Sequence, residues 1–361
     1  MGGHPHTTQS TGPRLIFWEL TPKCNLKCIH CRAWAQDERS SEELNEEEAR
    51  AFLDSVKQWA DPIIVLTGGE PLYRPDCLPL ARHASDLGLM VALATNGTLI
   101  TDSIARDIQA SGVRRVSISL DGADAETHDT FRGVPGAYDA AIAGLKRLRE
   151  IGVSVQVNMT VAKHNVDQLD EALDKALALG CDAFHIFCLV PVGCGLQIAE
   201  TQQIEGERYE QALTWLARKS QEVDINLRAT CAPHYFRLLR QTGAKVSPPH
   251  GGERLHAATR GCLAGSGVCF VSNRGDVQPC GYLPLVVGNV RRRNLRDIWN
   301  ESPEFALLRQ PDELKGKCGC CEYRTLCMGC RARAYAATGD FMDEEPFCVY
   351  EPKLARKAGS E

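Results

Sequence analysis

No apolar run in the chain approaches the roughly 20 residues that a membrane-spanning helix requires. The opening stretch MGGHPHTTQSTGPR also lacks the apolar segment at the heart of a signal peptide. Both absences point to a cytoplasmic chain with no membrane partner. Excess charge is missing as well: 41 basic against 46 acidic residues leave a formal net charge of -5, too weak a field to gather nucleic acid or anionic lipid. A small molecule or a protein is the expected substrate. What the chain has in quantity is cysteine, seventeen in all, and in a reducing compartment clustered thiols read as metal ligands before they read as disulfides.

The 361 residues suffice for one large domain and a smaller one. From residue 14 to about 190 one rhythm repeats, a β-branched apolar run, a turn, then helical spacing. Strands are expected at Leu15–Leu20, Ile63–Leu66, Met90–Ala94, Arg115–Leu120, Val153–Val161 and Ala183–Val190. Helices are expected at Asn45–Ala60, Pro75–Leu87, Thr101–Ser111, Ala137–Ile151 and Asp167–Leu179, most of them closed by a glycine. Alternation of this kind predicts an α/β fold, a partial TIM-like barrel of six β/α units with ligands at the carboxyl ends of its strands. A helix at Gly206–Glu222 and a strand in VDINLRAT follow. The expected division is a disordered tail over 1–13, the barrel over 14–230, a Gly/Pro-rich linker over 231–261, a cysteine-rich domain over 262–350 and a tail over 351–361.

Cys24, Cys28 and Cys31 stand in C-x3-C-x2-C spacing directly after the first expected strand. Three thiolates hold a 4Fe–4S cube with one iron left open, whereas a closed zinc site needs a fourth ligand, for which His30 is the local candidate. With the strand–helix rhythm around it, this spacing resembles the radical S-adenosylmethionine (SAM) enzymes. The resemblance implies a (β/α)6 partial barrel and an open iron that binds the SAM amine and carboxylate. It also implies reductive cleavage of SAM to methionine and a 5′-deoxyadenosyl radical, with a ferredoxin or flavodoxin as electron donor. That radical abstracts hydrogen from an unactivated carbon. Where the family carries an aromatic residue before the third cysteine, this chain has His30, whose ring can stack near the adenine.

The same resemblance places the SAM pocket. TGGEP (67–71) ends the second strand: Gly68 and Gly69 permit close backbone approach, and Glu70 supplies a carboxylate to an ammonium group. Asn96 in ATNG, with Ser119 and Asp121 in SISLDG, resemble the strand-end residues that line the SAM ribose and carboxylate, although Asn-Gly and Asp-Gly also favour plain turns. Asn158 interrupts the apolar fifth strand and faces either the barrel mouth or a buried partner.

Downstream, Cys262-x12-Gly275-x4-Cys280 precedes Cys318-x2-Cys321-x5-Cys327-x2-Cys330 and a last Cys348. The paired C-x2-C units alone would pass for a zinc ribbon, and with it for a zinc-stabilised binding protein. The full pattern resembles the SPASM extension of radical SAM enzymes, which carries one or two auxiliary 4Fe–4S clusters. By position in that pattern, Cys262, Cys269, Cys280 and Cys330 would hold one, and Cys318, Cys321, Cys327 and Cys348 the other. The x2 before Cys330 and the additional Cys320 depart from it. Cys77, Cys181, Cys188, Cys194 and Cys231 have no ligand spacing and read as small buried residues, with Cys188 and Cys194 near the end of strand six.

Enzymes with this extension modify peptides, mature sulfatases or build tetrapyrroles. Fewer residues precede the first strand than a leader-recognition domain needs, and Gly281 stands where sulfatase maturases place a basic Asp after Cys280. FWELTPKCNLKCIHCRA, CAPHYFRLL and PCGYLPLVVGNV resemble the SAM-dependent heme synthases of the siroheme-based anaerobic pathway, whose relatives act in heme d1 synthesis and on didecarboxysiroheme. The resemblance implies iron-coproporphyrin III as substrate, two of its propionates becoming vinyl groups with loss of carbon dioxide. The propionates need cations, for which Arg228, Arg237, Arg240 and Arg291–Arg293 are candidates. His234 and Tyr235 are candidates for the macrocycle or its iron.

Overall fold

The run NEEE starts a helix as its composition predicts: the Asn45 side chain accepts from the Glu48 amide and Glu48 accepts from the Asn45 amide, each at 2.9 Å. The computed structural model describes residues 12–244 and 260–353. Its strands are β1 (Leu15–Glu19), β2 (Ile63–Thr67), β3 (Met90–Thr95), β4 (Arg115–Ser119), β5 (Ser154–Val161), β6 (Ala183–Cys188) and β7 (Asn226–Thr230), each parallel to the next. Between and after them lie α1 (Glu46–Lys57), α2 (Cys77–Asp86), α3 (Asp102–Ala110), α4 (Ala125–Arg132), α5 (Ala137–Glu150), α6 (Leu169–Ala178), α7 (Gly195–Gln202), α8 (Gly206–Glu222) and α9 (His234–Thr242). Gly88, Gly112, Gly152 and Gly180 all take positive φ where helices end.

The α/β partial barrel is therefore present, with the segment after α8 adding a seventh parallel strand. Three differences from the sequence reading matter. The helix α4 lies where none was expected, since its eight residues bury only His128, Phe131 and Arg132. The linker expected from 231 carries α9, which packs Tyr235, Phe236, Leu238 and Leu239 into the core; its stretch 245–259 lies outside the described residues, as do 1–11 and 354–361 of the two expected tails. Gly12 and Pro13 are buried.

The cysteine-rich region is not a separate layer either. Its first strand, β8 (Val268–Val271), pairs in parallel with β1, so β9 (Asp276–Gln278) and β10 (Gly288–Asn289) extend the barrel sheet in the order β10-β9-β8-β1-β2-β3-β4-β5-β6-β7.

Alternation gives the sheet two faces. Ile16, Trp18, Ile64, Leu66, Val91 and Leu93 join the large core under the helices, while Leu15, Phe17, Ile63, Val65, Met90 and Ala92 form a small apolar cluster on the inner face. Across β4–β7 the inner face turns polar. Ser119, Asn158, His185 and Arg228 stand side by side in register, as do Ser117 and Gln156 one row below.

Candidate active site

The loop after β1 carries Cys24, Cys28 and Cys31, and the loops at the carboxyl ends of β2, β3 and β4 are each tied to it. The Gly69 and Glu70 amides donate to the carbonyls of Thr21 and Lys23, both at 2.7 Å. A Cβ on Gly68 would lie 2.7 Å from the Thr21 oxygen and one on Gly69 2.5 Å from that of Lys23, so both positions need glycine for the strand end to reach the cysteine loop. Asn96 donates to Asn25 at 2.9 Å and to the Cys24 sulfur at 3.8 Å. The chain before α5 closes the ring: the amides of Lys27 and Ile29 donate to the carbonyls of Arg132 and Phe131 at 3.1 Å.

Glu70 differs from its expected part as partner of an ammonium group. It is fully buried and accepts from the Leu72 amide, the Thr95 hydroxyl and the Asn96 amide, tying β2 to β3. Burial pushes its carboxyl up to about 7 against those hydrogen bonds.

Asp121, expected to line the ribose, is also fully buried. It accepts from the Thr160 amide at 2.6 Å and pairs with Arg132 at 2.5 Å. Burial raises its carboxyl, but Arg132, His30 and His128 together hold it below the usual range. Arg132 in turn donates to the Cys28 sulfur at 3.6 Å. His30 stacks on Phe131 with centroids 3.9 Å apart and its Nε2 lies 3.5 Å from Asp121; burial first lowers its pKa to about 3, keeping it neutral. Ser119 and Asn158 are half-buried neighbours on the inner face, Asn158 accepting from Gln156 at 2.7 Å.

All seventeen cysteines are free. Cys24, pushed up to about 12 by burial, accepts from the Leu26 amide at 3.4 Å, as Cys28 does from Arg132. N–H donors aimed at sulfur fit thiolates bound to iron. Among the described residues no three His, Cys, Asp or Glu side chains converge on one ion position, and a cube, which puts each thiolate on a different iron, requires no such convergence. The chemistry of the Cys24, Cys28 and Cys31 loop fits such a cluster.

Cys318, Cys321, Cys327 and Cys348 line one small pocket. The Cys318 sulfur accepts from the Glu345 amide (3.4 Å) and from Arg331 (3.7 Å), that of Cys321 from the Tyr323 amide (3.4 Å) and that of Cys327 from the Gly329 amide (3.5 Å). Cys320 is turned away toward the Lys317 carbonyl. In the other expected set, Cys262, Cys280 and Cys330 influence one another electrostatically, but Cys269 stands apart. It is fully buried in β8 opposite Ile16, and only burial acts on its thiol. Spacing alone did not register that β8 turns this side chain into the helix-side core. Cys231, which has no ligand spacing, is joined to Cys330 through Arg333 and Glu345: Arg333 donates to the Cys231 carbonyl at 2.8 Å and pairs with Glu345, which accepts from the Cys330 amide at 2.7 Å.

This first auxiliary set abuts the cysteine loop. A Cβ on Gly281 would meet Phe270 at 3.3 Å and the Arg32 guanidinium at 3.4 Å. Arg32 itself pairs with Glu19 at 3.0 Å and lies over Phe270 at 4.4 Å. Tyr282 is within electrostatic reach of both Cys231 and Arg32.

The expected cations sort by partner. Arg237 is buried and paired with Glu210, Arg291 binds Glu48, Arg293 binds Glu301, and Arg240 and Arg292 are exposed. Only Arg228 among them stands on the inner face, with Nη1 buried and without a hydrogen-bond partner among the described residues. His234 is fully buried against Tyr209, centroids 5.0 Å apart, and Tyr235 is buried beside it. Cys77, Cys181 and Cys188 are buried as expected, whereas Cys194 donates its amide to the Cys31 carbonyl at 2.7 Å. No helix among the described residues is long and apolar enough to cross a membrane.

The Radical SAM superfamily model matches residues 18–189, and that of an iron-sulfur cluster-binding domain, SPASM, matches 262–322. The chain is 49% identical to the AdoMet-dependent heme synthase of Methanosarcina barkeri, over 95% of this chain and 98% of that protein. It is 32% identical to the pre-heme d1 synthase of Dinoroseobacter shibae, over 95% of this chain and 88% of that one. In fold it is similar to SuiB of Streptococcus suis solved with S-adenosylmethionine, at a TM-score of 0.72 and 18% identity, covering 96% of this chain and 78% of that one.

Proposed function

The chain belongs to the radical SAM superfamily and carries its SPASM extension, and on that premise we propose that it is a SAM-dependent heme synthase. It oxidatively decarboxylates two propionates of iron-coproporphyrin III to vinyl groups, giving heme b. The observation that carries this reading is the 49% identity to a heme synthase along nearly all of both chains.

Cys24, Cys28 and Cys31 would hold the SAM-binding 4Fe–4S cluster, which when bound would supply the electron for SAM cleavage. Around it, Gly68 and Gly69 bring backbone close to the cysteine loop, Asn96 orients Cys24, and Arg132 neutralises charge at Cys28. Glu70 and Asp121 act behind the pocket, fixing strand ends. The inner face suits an amphiphilic macrocycle, with its apolar half along β1–β3 for the ring and its polar half along β4–β7 for carboxylates. Arg228 is the cation in that half best suited to a propionate.

On the substrate, a hydrogen atom would be removed from the propionate carbon next to the macrocycle by the 5′-deoxyadenosyl radical that bound SAM would supply. The carbon–carboxylate bond then breaks, carbon dioxide leaves, a vinyl group forms, and one electron must depart. An auxiliary 4Fe–4S cluster, when bound, would supply an acceptor for it, and the cysteine set containing Cys280 adjoins the cysteine loop through Gly281 and Tyr282. The reducing electron comes from a ferredoxin or flavodoxin, and seventeen free thiols suit the cytoplasm.

The test is anaerobically reconstituted protein with SAM, a reductant and either iron-coproporphyrin III or didecarboxysiroheme. Heme b from the first substrate supports the reading. Absence of both deoxyadenosine and heme b, or turnover of didecarboxysiroheme alone, defeats it.

A further inference from the structure

We propose that Cys231, rather than Cys269, is the fourth thiolate of the auxiliary cluster held by Cys262, Cys280 and Cys330. The inference rests on the reading of the chain as a radical SAM enzyme with auxiliary clusters, and it concerns which side chains build one of them.

Cys231 follows β7 with φ +54°, a left-handed conformation that a non-glycine residue adopts only when its surroundings impose it. Two donors impose it here. Arg333 donates to the Cys231 carbonyl at 2.8 Å and the Tyr209 hydroxyl to the same oxygen at 3.1 Å. Arg333 also pairs with Glu345, which accepts from the Cys330 amide at 2.7 Å. One buried ion pair thus fixes the backbone of both cysteines. Cys262 is brought in by its own amide, which donates to the Cys327 carbonyl at 3.0 Å, and Cys280 by its bridge to Leu283 after β9. Each of Cys231, Cys262 and Cys280 lies within electrostatic reach of Cys330.

Cys269 cannot reach this group while β8 stays paired. It sits opposite Ile16 with its neighbour Phe270 on the Arg32 side, and successive side chains of a strand point to opposite faces. With Cys231 in place the auxiliary cube has four thiolates and no open iron, so it takes up electrons and does not bind substrate.

The variants Cys231→Ala and Cys269→Ala, reconstituted anaerobically, are compared with the parent by iron and acid-labile sulfide content. Cys231→Ala leaves three thiolates, which can keep a cube with one iron open, so an altered electron paramagnetic resonance signal from one auxiliary cluster is expected, with loss of at most about a third of iron and sulfide; Cys269→Ala should change neither. Full iron with an unchanged auxiliary signal in Cys231→Ala, or loss of a third in Cys269→Ala, overturns the assignment. If Cys231→Ala does not fold, Cys231→Ser replaces it. An altered electron paramagnetic resonance signal from one auxiliary cluster, with the SAM-cluster signal unchanged, is then expected, and an unchanged spectrum overturns the proposal. These readouts are independent of heme formation, so a failed heme assay and a failed ligand assignment are told apart.

Discussion

Arg333 and Glu345 form a fully buried ion pair at 3.0 Å that touches both auxiliary cysteine sets. The Glu345 carboxylate accepts from the Cys330 amide, while its own amide donates to the Cys318 sulfur at 3.4 Å. Removing one partner leaves a buried charge uncompensated. Arg333→Met should therefore lower stability by about 3–5 kcal/mol, read as a lower unfolding midpoint. Adding Glu345→Gln should recover much of that loss. Equal midpoints for parent and Arg333→Met would show that the pair has no such role.

Gly69 tests the joint between the β2 end and the cysteine loop. A methyl group there would stand 2.5 Å from the Lys23 carbonyl oxygen, a backbone atom that moves only with the loop. Gly69→Ala should reduce deoxyadenosine formation about 100-fold, the scale expected for misplacing a reacting group by about 1 Å. The auxiliary clusters should stay filled. Undiminished SAM cleavage would mean that the loop has room to yield.

Arg228 is the cation assigned to a propionate. A hydrogen bond to a charged group contributes roughly 1.5–3 kcal/mol, so Arg228→Gln should reduce kcat/KM for iron-coproporphyrin III by about 10- to 100-fold, mostly through KM. Arg228→Lys should restore part of the loss. SAM cleavage without substrate should not change.

His128 supplies a pH dependence. It is buried and its Nδ1 accepts from the Asp121 amide at 3.1 Å. Burial first, then Arg132, lowers its pKa from 6.5 to about 4. Between these values the unfolded chain binds a proton that the folded chain does not, so stability falls as pH drops from about 6.5 toward 4, by at most about 1.4 kcal/mol per pH unit. Unfolding midpoints measured across that range should fall less steeply for His128→Gln. Parallel curves for the two proteins would contradict the assignment.

The barrel was legible because its signals are local. Apolar runs and closing glycines mark each unit, and the six expected strands are found within two residues of their ends. The grouping of Cys318, Cys321, Cys327 and Cys348 around one pocket was legible from their spacing. What the sequence did not carry was long-range. Cys269 has the spacing of a ligand, but the run VCFV signals a strand, and pairing with β1 decides its face. Cys231 has no spacing at all and reaches Cys330 through the fold of β7 and α9. Arg132 was passed over because α4 is short and weakly apolar, and its contacts to Asp121 and Cys28 exist only once the loop after β1 folds onto it. Asp121 and Glu70 were read as pocket residues from their motifs, whereas both carboxylates are sealed behind the strand ends.

The central claim is that the radical formed at the Cys24, Cys28 and Cys31 loop acts on the propionate carbon next to the macrocycle. Iron-coproporphyrin III deuterated at that carbon, turned over by the reconstituted protein, tests it most directly. The account predicts deuterium in the 5′-deoxyadenosine, one labelled molecule for each vinyl group formed. Unlabelled deoxyadenosine accompanying heme b would contradict it.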